Sequence, residues 1–145
     1  MKIRVDFYLL EQDADAAQAR LACRIIDKAY RQGYQVYVLC TDTKQVEYLD
    51  KFLWTFDEIS FLPHKIWQKQ KELIPDSPIL IGDQTVLPSK DYAILVNLRL
   101  DVPDFFAQFQ RVIEIVSANT DARANARERY RIYRSHDTDL HSHKL

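Results

Sequence analysis

Ile3-Arg4-Val5-Asp6-Phe7-Tyr8-Leu9-Leu10 alternates polar and apolar side chains and then turns wholly apolar. That is the pattern of a strand running into a sheet covered on both faces. Immediately after it, Asp13 and Asp15 open a helix whose apolar face is Ala19, Leu21, Ala22, Ile25, Ile26, Ala29 and Tyr30. Gly33 is placed to stop that helix. Gln35-Val36-Tyr37-Val38-Leu39-Cys40 reads as a second strand, and Thr41 or Asp42 can cap a second helix carrying Val46, Leu49, Leu53 and Trp54. Strand, helix, strand, helix predicts parallel strands joined by a right-handed crossover. The expected fold is therefore α/β: a mostly parallel central sheet flanked by helices, a Rossmann-like three-layer sandwich.

Farther along, Phe56 to His64 is short, aromatic and closed by proline, and Lys65 to Asp76 reads as a polar surface excursion with Trp67 inside it. Pro78 to Gly82 is a brief buried strand, Asp83 to Pro88 a hairpin arm, and Tyr92 to Asn97 a core strand. Asp104 leads a helix from Phe105 to Val116, with Phe106, Phe109, Val112, Ile113 and Val116 as its buried face. A length of 145 residues suits one domain over residues 1–145, ending in a loose polar tail at about 136–145.

A net charge of −1 argues against a general nucleic-acid coat, which needs a broadly basic surface. No apolar run is long enough to span a membrane, and the N-terminus lacks a charged-then-apolar signal pattern, so a cytoplasmic protein is expected. Cys23 and Cys40 form no CxxC pair and read as buried thiols.

Sheets of this type often bind nucleotides beyond the carboxyl ends of their strands. Here the first crossing, Leu9-Leu10-Glu11-Gln12-Asp13-Ala14-Asp15, has no glycine, and the chain's two glycines, Gly33 and Gly82, start no helix. A phosphate cradle needs backbone amides brought close to the ligand, and the carboxylates of Glu11 and Asp13 repel one. The shape of a nucleotide-binding fold is expected without its phosphate loop, and no cofactor is expected. His136, His141 and His143 lie in the tail, which is a poor setting for rigid metal geometry. No serine sits in a nucleophile elbow, and Cys40, at a strand end, has no histidine near it in sequence. Asp6, Asp91, Asp101 and Asp104 are candidate paired acids only if the fold gathers them.

Two stretches point outward instead. Asn119-Thr120-Asp121-Ala122-Arg123-Ala124-Asn125-Ala126-Arg127-Glu128-Arg129-Tyr130-Arg131-Ile132-Tyr133-Arg134 has five arginines and two acids, a local charge of +3. It reads as a helix capped by Asn119, Thr120 or Asp121. At 100° per residue Arg123, Arg127, Tyr130 and Arg134 share a stripe flanked by Arg131, while Ala122, Ala126 and Tyr133 fall opposite. Guanidinium forks suit carboxylates and phosphates. Composition alone reads this face as solvated. Phe52, Trp54, Phe56, Phe61, Pro63 and Trp67 crowd a poorly regular segment, which reads equally as core cover or as partner surface.

Asp6-Phe7-Tyr8-Leu9, Leu49-Asp50 with Leu53-Trp54, Ser60-Phe61-Leu62-Pro63-His64, Asn97-Leu98, and Arg127-Glu128-Arg129-Tyr130-Arg131 with Tyr133-Arg134 together resemble the chi subunit of bacterial DNA polymerase III. Each motif alone is weak; their order along the whole chain is specific. The departures are Lys65 to Val86 and the histidine-bearing tail.

The resemblance implies a non-catalytic accessory subunit of the replicase clamp-loader assembly. It implies a 1:1 heterodimer with the psi subunit, and binding of the acidic, phenylalanine-ended C-terminal tail of single-stranded DNA-binding protein. DNA is then met only through that protein. The tail site maps to Arg123, Arg127, Tyr130 and Arg131, with Arg134 beside them, and reverses the solvated reading of that face. Arg129 turns to the packed side. The psi surface maps to Trp54 and Phe61, with Pro63 and His64 nearby. The competing readings are a small nucleotide-dependent enzyme on the same sheet, and direct binding of single-stranded DNA by the arginine helix with Tyr130 and Tyr133 stacking on bases.

Overall fold

The computed structural model describes residues 2–55, 62–68, 77–88 and 91–145. Its seven strands are β1 (Arg4–Leu9), β2 (Gln35–Leu39), β3 (His64–Ile66), β4 (Ile79–Gly82), β5 (Tyr92–Asn97), β6 (Arg111–Val116) and β7 (Asp139–Lys144). The helices are α1 (Asp15–Arg31), α2 (Thr43–Thr55) and α3 (Thr120–Ser135). The strands form one sheet in the order β3-β4-β2-β5-β6-β1-β7, and every neighbouring pair is parallel. The first two strands are parallel as expected but not adjacent, because β5 and β6 lie between them.

Strand parity assigns the layers. Val36 and Val38 of β2 with Cys40 just after it, Ile79 and Ile81 of β4, Ile94 and Val96 of β5, and Ile113 and Ile115 of β6 pack with α1 and α2 on one face. Phe7, Tyr37, Leu39, Leu80, Leu95, Val112 and Val116 turn to the other, where α3 and a short 3-10 turn, Phe106–Gln108, cover them. The result is the three-layer α/β sandwich. α1 stops as its sequence predicts: Gly33 takes φ 87°, and Tyr34 N–H returns to Ala29 O at 3.0 Å. α2 starts on a reciprocal cap, with Asp42 Oδ1 accepting Gln45 N–H at 2.9 Å and Gln45 Oε1 accepting Thr41 N–H at 2.7 Å.

Four expectations are corrected. Residues 111–116 are a strand, not the second half of a helix. Phe106, Phe109, Val112, Ile113 and Val116 fit a 3.6 period, but Val-Ile-Glu-Ile-Val also fits a strand buried on both faces, and the slot between β5 and β1 decides. The tail is not loose: residues 139–144 pair with β1, after a turn in which Asp137 adopts φ 55° and Thr138 Oγ1 donates to Tyr133 O at 2.8 Å. Backbone pairing at a sheet edge needs no apolar alternation, so the sequence carried no strand signal there. Trp67 does not sit in a surface excursion; it follows β3, is 2% exposed, and packs edge-on to Tyr37 at 5.7 Å. Finally, residues 83–88 make no hairpin arm; Gln84 O accepts the Tyr37 hydroxyl at 2.8 Å.

Candidate partner-binding sites

α3 is fixed at its start and along its underside. Asn119 Oδ1 accepts Ala122 N–H at 2.7 Å, and Asn119 Nδ2 donates to Asp13 Oδ1 at 2.9 Å, tying the helix start to the loop after β1. Beneath it lies Glu114 of β6, fully buried. Its carboxylate accepts Arg129 Nε at 3.1 Å, the Tyr133 hydroxyl at 2.5 Å and Asn97 Nδ2 at 2.9 Å. Burial pushes this carboxyl up, against the pull of Arg129, Tyr133 and Asn97. Arg129 is thus the inward arginine that the helical wheel singles out. Glu114 itself escaped sequence reading; its signal was a lone acid inside an apolar run.

With Arg129 and Tyr133 turned down, the neighbouring stripe, about a quarter-turn round the helix, looks onto the β1–β7 edge of the sheet. A cavity of about 180 Å³ opens there, floored by Phe7 and Leu9, walled by Ala126, Tyr130 and Ser142, and rimmed by Arg123 and Arg127. The Tyr130 ring lies 5.5 Å from that of Phe7. The arginines are not equivalent. Arg123 Nη2 donates to Leu10 O at 2.7 Å and its Nε to Ser117 O at 3.3 Å, so it clamps the exits of β1 and β6. Arg131 is exposed and paired with Glu128. The exposed Arg127 and Arg134 side chains have no ion-pair partner among the described residues. An apolar notch beside an uncommitted guanidinium can hold an aromatic or aliphatic group and a carboxylate together.

The second candidate lies at the far edge of the sheet, by β3. Trp54 is 49% exposed at the end of α2, so it does not join the core face of that helix. Its ring centroid is 4.2 Å from that of His64. His64 is buried: Nδ1 is 2.7 Å from Leu62 O, and Nε2 is 3.2 Å from Asp50 O and 3.3 Å from Asp50 Oδ1. It supports the indole from below, and Pro63 beside it is half-buried. Phe61 lies outside the described residues, as does Phe56. Trp67, from the same aromatic cluster, belongs to the core.

The carboxyl ends of the strands offer a further cavity, about 350 Å³, between the starts of α1 and α2. Asp15 and Asp42 line it with Lys44 and Tyr48, and the Gln45 amide is already taken by Asp42. Acids and a satisfied amide suit a phosphate poorly. Burial pushes the Cys23 and Cys40 thiols up to about 12, so neither supplies thiolate at neutral pH. Asp6 does not pair with another acid: Arg4 Nε at 3.0 Å, Arg111 Nε at 2.8 Å and His143 Nε2 at 2.8 Å surround it. Asp101 pairs with Arg99. His143 also stacks on Tyr8, with centroids 4.6 Å apart.

Comparison with known proteins bears on these sites. The family described as "DNA polymerase III chi subunit, HolC" matches residues 1–141. The chain is 37% identical over 142 residues to DNA polymerase III subunit chi of Pseudomonas aeruginosa, covering 98% of this chain and 96% of that one. It is 33% identical over 132 residues to the Escherichia coli subunit of the same name, covering 88% of each. Among solved structures, the crystal structure of T4 UvsW superposes with TM-score 0.67 at 7% identity. That superposition covers 99% of this chain and 41% of the other, and is a likeness of fold alone.

Proposed function

The chain belongs to the DNA polymerase III chi-subunit family, and on that footing we propose that it is a non-catalytic subunit bridging two partners during DNA replication. One is the psi subunit, through which it joins the clamp loader. The other is the acidic, phenylalanine-ended C-terminal tail of single-stranded DNA-binding protein. The observation that carries the reading is the groove between α3 and the β1–β7 edge: an apolar floor of Phe7 and Leu9 beside the unpaired guanidinium of Arg127. The terminal phenyl ring enters the notch, and Arg127 meets the terminal carboxylate. Arg131 and Arg134 meet the preceding acids, and Tyr130 lines the ring's slot. Arg123 holds the loops that shape the rim.

Psi docks on Trp54 and Pro63, with His64 buried beneath the indole as its support; Phe61, outside the described residues, is assigned to this surface by the family resemblance. Because β3 and β7 are the two edges of the sheet among the described residues, the candidate patches lie at opposite ends of it, which leaves room for both partners at once. Function is then tethering: weak contacts raise the effective concentration of the polymerase assembly on coated single strands.

The test is titration of an acidic phenylalanine-ended peptide into wild-type protein and a folded Arg127→Glu variant. A loss of tenfold or more in affinity, steepened at low salt, is expected. Equal affinity in the two proteins would remove Arg127 from the site.

A further inference from the structure

The groove ends on an open sheet edge. Among the described residues no strand pairs with the outer side of β7. Its inner side is set by two bonds: Asp139 N–H donates to Ile3 O at 2.9 Å, and Leu145 N–H to Leu9 O at 3.3 Å. Odd-numbered residues therefore face β1 with their main-chain groups. Strand geometry then turns the N–H and C=O of Leu140, Ser142 and Lys144 outward. The side chains of these same residues stand on the α3 side: Ser142 walls the groove, and Leu140 packs against the core beneath α3. None of the three is acidic.

Above that edge runs the cationic stripe. α3 descends from the carboxyl ends of the strands, where Ser117 leaves β6, to the amino end of β7 at Asp139. Arg127 and Arg134 are thereby separated by about 10 Å along the edge, the length of roughly three extended residues. The acid on this stretch, Glu128, is engaged by Arg131.

Resting on the tail-site reading above, we propose that the acidic tail docks as an eighth strand, added in parallel to the outer edge of β7. The terminal carboxylate lies by Arg127, at the carboxyl end of the sheet, so the tail must run in the same direction as β7. Its alternate amides and carbonyls pair with Leu140, Ser142 and Lys144. Its acidic side chains on the α3 side meet Arg131 and Arg134, and its last ring turns into the notch over Phe7. Main-chain pairing contributes affinity that is independent of sequence, and the notch and arginines supply selectivity. The charged side chains of Asp139 and Lys144 on β7 also serve to discourage pairing with a second copy.

The test uses the full chain and a synthetic acidic peptide ending in phenylalanine. Amide hydrogen exchange by NMR is read with and without peptide, and affinity is measured for two peptides N-methylated at alternate residues in opposite phases. The expected result is slowed exchange at Leu140, Ser142 and Lys144, and about tenfold weaker binding for one methylation phase only. Suppose instead that the peptide binds and Arg127→Glu abolishes it, while those amides exchange unchanged and both phases bind alike. Then the edge pairing is wrong and the tail site stands. A peptide that does not bind the wild-type chain at all overturns both.

Discussion

Replacing Glu114 with glutamine tests what holds α3 in register. The carboxylate is fully buried and Arg129 is 5% exposed, so the pair is shielded from solvent screening. Glutamine keeps the shape. Its oxygen can still accept the Tyr133 hydroxyl and Asn97 Nδ2, which approach Oε2. That leaves its NH₂ facing Arg129 Nε, at the 3.1 Å position of Oε1, donor against donor, with the guanidinium uncompensated. Breaking a buried pair by removing one partner costs about 3–5 kcal/mol, a large part of a stability of roughly 5–15 kcal/mol. For a chain of this size the melting temperature should fall by roughly 10–20 °C. Urea denaturation followed by circular dichroism measures the loss in unfolding free energy, alongside the double variant Glu114→Gln/Arg129→Met. The double variant should recover most of the loss, because no buried charge remains. The reasoning fails if Glu114→Gln costs under about 1 kcal/mol, the scale of an ordinary neutral hydrogen bond. It fails equally if the double variant is no more stable than the single one.

Two further outcomes follow from named contacts. Burial raises the Asp6 carboxyl, but Arg4, His143 and Arg111 outweigh it and hold it below its ordinary value. Its contribution is therefore complete above the unfolded value near 3.8 and is lost as pH falls through the lower folded one. The stability gap between wild type and Asp6→Asn should narrow in urea titrations as pH drops from about 6 to about 3, where the unfolded carboxyl titrates; a constant gap contradicts the assignment. The two tryptophans should separate cleanly. Trp67→Ala should cost about 3–5 kcal/mol in chemical denaturation because its ring is core. Trp54→Ala should cost less, about 1–2 kcal/mol, since about half of its surface is already exposed, while removing capture of psi in a pull-down. Retained psi binding by Trp54→Ala would move that interface elsewhere.

Much of this molecule was legible in local pattern. Apolar runs marked β1, β2, β4 and β5, Gly33 marked the end of α1, and the helical wheel separated Arg129 from Arg127. Those readings succeeded because strand alternation, helix stops and one-sided burial are written in neighbouring residues. The tertiary structure decided what local pattern left degenerate. Phe106 to Val116 satisfies both helical and strand periods, and only the vacancy between β5 and β1 makes residues 111–116 a strand. The polar tail becomes β7 because β1 offers it a free edge of backbone groups, which are the same in every sequence. Trp54 and Trp67 sit in one aromatic cluster, yet the sheet puts one outside and one within. The groove itself joins Phe7 to Tyr130 and Ser142, more than a hundred residues farther along the chain, because β1 lies between β6 and β7 in the sheet. Periodicity tells which face of an element is apolar; only the order of the strands tells which faces meet.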